Sequence, residues 1–107
     1  MEGELVGYDP TVAVRRAVDA VAELAKDVAA GNTRWDRPAD AANSLEQMDR
    51  LTAALADLLR RQAEALPQLT ADPQAAETAK QVSEAAGSAT KLGEQIHKAW
   101  NAARAVR

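Results

Sequence analysis

The sequence predicts an all-α fold, an up-down-up three-helix bundle with helices over about residues 10–30, 38–66 and 73–106 and short linkers. Three observations predict it. Apolar residues recur at steps of three and four along nearly the whole chain, the spacing that lines one side of an α-helix. The four prolines, Pro10, Pro38, Pro67 and Pro73, stand at the edges of those runs. Phe is absent and aromatic residues make up 3% of the chain, so any core must be built from Ala, Val and Leu.

The first helix opens at Asp9-Pro10. The Asp carboxylate can accept from the free amides of the first turn, and proline suits the first helical position. Its stripe is Val14, Val18, Val21, Ala25 and Val28, widened by Ala17 and Leu24, with Arg16, Asp19, Glu23, Lys26 and Asp27 opposite. Gly31 follows where a left-handed cap is expected. Pro38 opens the second helix after a short linker, with Asp36 or Arg37 at the cap. Its expected stripe is Ala41, Leu45, Met48, Thr52, Leu55, Leu59, Gln62 and Leu66, flanked by Leu51 and Leu58, and Pro67 is expected to stop it. Glu46 with Arg50 and Asp57 with Arg61 sit at pairing distance on the far side.

Asp72-Pro73 repeats the opening chemistry of Asp9-Pro10. The third stripe runs Ala75, Ala79, Val82, Ala86, Ala89, Gly93, Ile96, Trp100, Ala103, a slim side that lets backbones approach closely. Gly87 and Gly93 each cost up to about 1 kcal/mol against Ala inside a helix, which a close crossing at Gly93 would offset. An antiparallel second and third helix would put Trp100 level with the start of the second, so both tryptophans fall at one pole. The first helix is the shortest and would leave the far pole uncovered, unless Leu5, Val6 and Tyr8 fold over it or a second subunit covers it.

Composition narrows the function classes. Residues 1–9 read as a flexible lead-in and 10–107 as a single helical-bundle domain. No Cys means no disulfide, thiolate metal site or nucleophilic thiol. A net charge of −3 with mixed signs argues against a nucleic-acid partner. No uncharged run approaches the ~20 residues of a membrane span. The cytoplasm is the expected compartment, and a high Ala content with nine Arg against four Lys points to a GC-rich bacterial genome.

No catalytic arrangement, phosphate loop or small-molecule site is evident, so the protein is expected not to be an enzyme and to use no cofactor. Glu94-x-x-His97 has the spacing of di-iron bundle proteins, but Glu94 lies nearly opposite the stripe and His97 at its margin. A carboxylate and His metal site would therefore need dimerisation; solvated side chains are the alternative. Trp35 is either a plug against Trp100 at the bundle end or an exposed docking anchor. Thr52 and Gln62 are polar positions on an apolar stripe and either set register or reach water at a seam edge.

The first two-thirds of the chain carries Tyr8-Asp9-Pro10, an Ala- and Val-rich helix, Trp35-Asp36-Arg37-Pro38-Ala39-Asp40-Ala41-Ala42 in a turn, and a Leu-rich second helix. In these it resembles the Trp-X-Gly hairpin (ESAT-like) family of small type VII secretion substrates. That resemblance implies a helical hairpin that pairs with itself or a helical partner. Arg37 stands where the family has Gly, Pro67 and Pro73 split the long second helix, and the family's C-terminal Tyr-x-x-x-Asp/Glu export signal is missing, Tyr8 being the one Tyr. The resemblance therefore implies export with a signal-bearing partner, or a non-secreted relative.

The expectation from the residues is a non-enzymatic, coiled-coil-like protein–protein interaction or assembly protein. It is expected to associate with itself as a homodimer, through the slim side of the third helix or the uncovered pole. Trp35, Gly93, Ile96 and Trp100 are the expected partner-binding residues.

Overall fold

A computed structural model of the chain describes residues 9–107. The expected lead-in, with Leu5, Val6 and Tyr8, lies outside the described residues except for Asp9. The protein is all-α: α1 spans Pro10–Ala29, α2 Pro38–Leu69 and α3 Gln74–Ala103, with no strand among the described residues. The chain divides into two compact units, one ending at Arg34 and one spanning Trp35–Arg107.

α1 is closed at both ends by its own sequence. Asp9 Oδ1 accepts from the Thr11 amide at 2.9 Å, and Pro10 occupies the first helical position. At the other end Gly31 takes φ +79°, Gly31 N donates to Val28 O and Asn32 N to Asp27 O. These two bonds form a Schellman cap, which requires a left-handed residue at Gly31. Val14, Val18, Val21 and Leu24 on the apolar stripe are all exposed, and no residue of α1 is buried.

α2 begins at Pro38 with Arg37 at the cap position; there is no side-chain cap bond. The Arg37 guanidinium instead donates to the Asp40 carboxylate at 3.2 Å, which holds that carboxyl below its ordinary range. Pro67 does not end the helix, which runs on to Leu69 with Pro67 inside it. Proline forfeits one bond, to the carbonyl of Ala63, and this close to the terminus the remaining turn tolerates the loss.

The connection from Thr70 to Pro73 is a compact turn. Asp72 N donates to Thr70 Oγ1 at 3.1 Å, while Asp72 Oδ1 accepts from Gln74 N at 2.9 Å. Asp72 thus repeats at α3 the capping geometry of Asp9 at α1. α3 ends at Ala103, three residues before the expected boundary. There Ala105 N bonds to Ala102 O and Val106 N to Ala103 O, i→i+3 bonds that tighten and close the last turn.

α2 and α3 pack along each other as an antiparallel hairpin, joined by Arg60–Thr90 at one level and Asp49–His97 at another. Every residue of the expected α3 stripe, from Ala75 to Ala103, is buried or half-buried. Its steps alternate four and three, the seven-residue repeat of knobs-into-holes packing. On α2 the buried and half-buried row is Ala42, Leu45, Asp49, Thr52, Ala56, Leu59, Ala63 and Leu66, with the same repeat. This corrects the expected α2 stripe. Leu45, Thr52, Leu59 and Leu66 are shared, but Ala42, Asp49, Ala56 and Ala63 face α3 where Met48, Leu55 and Gln62 were expected inward; those three are exposed. The reason is the slimness of α3, whose Ala and Gly residues accept small counterparts at close range.

The helices approach closely at Gly93. A Cβ there would lie 2.9 Å from Thr52 Oγ1. Thr52 is itself buried, and its hydroxyl donates to the Asp49 carbonyl at 2.8 Å. Gly87, by contrast, faces open space. Gly87→Ala is therefore expected to stabilise the protein by about 0.5–1 kcal/mol, read as a raised denaturant midpoint with an unchanged m-value.

Candidate interaction surface

The hairpin has two unlike flanks. On one, polar side chains bridge the helices. His97 Nδ1 meets Asp49 Oδ2 at 3.0 Å, and Arg60 donates to Thr90 Oγ1 at 2.7 Å. Thr90 in turn donates to the Ala86 carbonyl at 3.1 Å. These groups border an open groove of about 580 Å³ that also takes in Glu94 and Lys98. Asp49 and His97 are both partly solvated and already bonded to each other. Among the described residues no group of three or more His, Cys, Asp or Glu side chains is arranged to hold a metal ion.

The other flank is apolar. Around the α2 axis from the buried row lies a second row with steps of four and three: Ser44, Met48, Leu51, Leu55, Leu58, Gln62 and Ala65. Its four large members are about two-fifths to one-half exposed: Met48 38%, Leu51 46%, Leu55 45% and Leu58 40%. Helical spacing carries the same flank onto α3 through Ala85, Leu92 and Ala99, all exposed. α2 is therefore apolar on two adjacent faces, and α3 covers one of them. Exposed leucines scattered singly need no explanation, but a contiguous row at a seven-residue repeat is the pattern of a helix seeking a second neighbour.

The tryptophans fall at one pole, as register requires. Trp35 folds back on the first turns of α2: its indole N–H donates to Ser44 Oγ at 2.8 Å, and its ring borders a pocket with Ala41, Leu45 and Met48. It thus sits at the head of the exposed row and is 45% exposed. Trp100 is half-buried on the α3 stripe. It meets the His97 ring edge-on at 5.2 Å and carries the Arg104 guanidinium over its face at 4.8 Å. Trp35→Ala is expected to lower stability by about 1–2 kcal/mol, less than a fully buried indole would cost, in thermal or urea unfolding.

Of the four residues expected to bind a partner, Gly93 is buried and Ile96 and Trp100 half-buried in the α2–α3 seam. The slim side of α3 is thus used within the chain. Trp35 lies outside that seam and is nearly half exposed. Gln62, expected at a seam, is exposed on the second row. Sequence reasoning saw Leu51 and Leu58 only as margins of a core stripe. The clue to a separate row was their spacing with Met48 and Leu55. No helix among the described residues is long and apolar enough to cross a membrane. The chain matches no family profile, no curated protein and no solved structure.

Proposed function

We propose that this protein is a non-enzymatic, cytoplasmic helical interaction protein that works by associating with another helical surface, its own copy in the first instance. One observation supports this reading: Met48, Leu51, Leu55 and Leu58, each about two-fifths to one-half exposed, form a row at a knobs-into-holes repeat beside the completed α2–α3 seam. Such a row loses about 25 cal/mol for each Å² of apolar surface left in water, and a second helix laid along it recovers that. α1 adds a further amphipathic stripe with no buried residue.

The experiment is a concentration series by light scattering or analytical ultracentrifugation on the wild type and on the double variant Leu51→Lys, Leu55→Lys. The wild type is expected to associate at high micromolar concentration. The variant is expected to stay monomeric, with an unchanged helical circular dichroism spectrum, because neither side chain contributes to the buried seam. A wild type that remains a strict monomer at millimolar concentration overturns the proposal.

A further inference from the structure

We draw no further inference here: the strongest candidate, the half-exposed surface patch of Met48, Leu51, Leu55 and Leu58 on the apolar flank of the α2–α3 hairpin, belongs to the surface already described, and nothing in the structure shows what covers it.

Discussion

Gly93→Ala is expected to destabilise the hairpin by about 1–2 kcal/mol, although alanine is the better helix former by roughly 1 kcal/mol. The added methyl would stand 2.9 Å from Thr52 Oγ1, tighter than real carbon atoms tolerate. Thr52 cannot yield easily. It is β-branched, 6% exposed, and its hydroxyl is bonded to the Asp49 carbonyl one turn back. Rotating it breaks that bond and moves its methyl into a packed seam; otherwise the helices must separate and lose close packing along their length. Combining Gly93→Ala with Thr52→Ala removes the offending oxygen and leaves ordinary van der Waals spacing. The double variant is therefore expected to be more stable than the two single losses would sum to, with a coupling of about 1 kcal/mol in chemical unfolding. Equal, additive losses would show that the close crossing is not what glycine serves at this position. The opposite sign expected for Gly87→Ala, on the same helix, separates packing from propensity.

Ala86→Leu carries the larger expected cost, about 2–3 kcal/mol, seen as a fall in melting temperature of roughly 10–20 °C. Ala86 is 1% exposed, in a seam whose other buried members are Ala42, Thr52, Ala56, Ala75, Ala89 and Gly93. No large side chain is fully buried there, so none can be moved aside to make room. A leucine at this point acts as a wedge. Ala85→Leu, one position round on the apolar flank, adds the same atoms to an exposed site and is expected to change stability by no more than about 0.5 kcal/mol. If both substitutions are tolerated alike, the seam is looser than its geometry indicates.

These contrasts show how far the residues could be read in advance. The α3 stripe was legible in full, because only one row on that helix runs its whole length without a polar residue. The ends of α1 were legible too: Asp9, Pro10 and Gly31 each have one local job, and local chemistry is written locally. α2 was harder. It carries two overlapping apolar rows that share Leu45, Thr52, Leu59 and Leu66, and hydrophobicity alone favours the row with Met48 and Leu55. The choice belongs to the partner. A thin α3 selects Ala42, Ala56 and Ala63, and turns the larger side chains outward. The candidate interaction surface is the residue of that choice, so it became visible only once the pairing was known. Pro67 misled for a related reason. A proline announces a lost bond, but how many turns survive beyond it depends on what those turns touch.

The tight Thr70–Pro73 turn has a kinetic corollary. Bonded pairs across the hairpin grow steadily more distant along the chain, from 30 residues at Arg60–Thr90 to 48 at Asp49–His97. Closing each successive rung after the first adds little loop entropy, so assembly should start beside the turn and zip toward the tryptophan pole. Amides near Trp35 and Trp100 would then exchange with solvent first, which places the most readily opened part of the hairpin beside the head of its exposed leucine row.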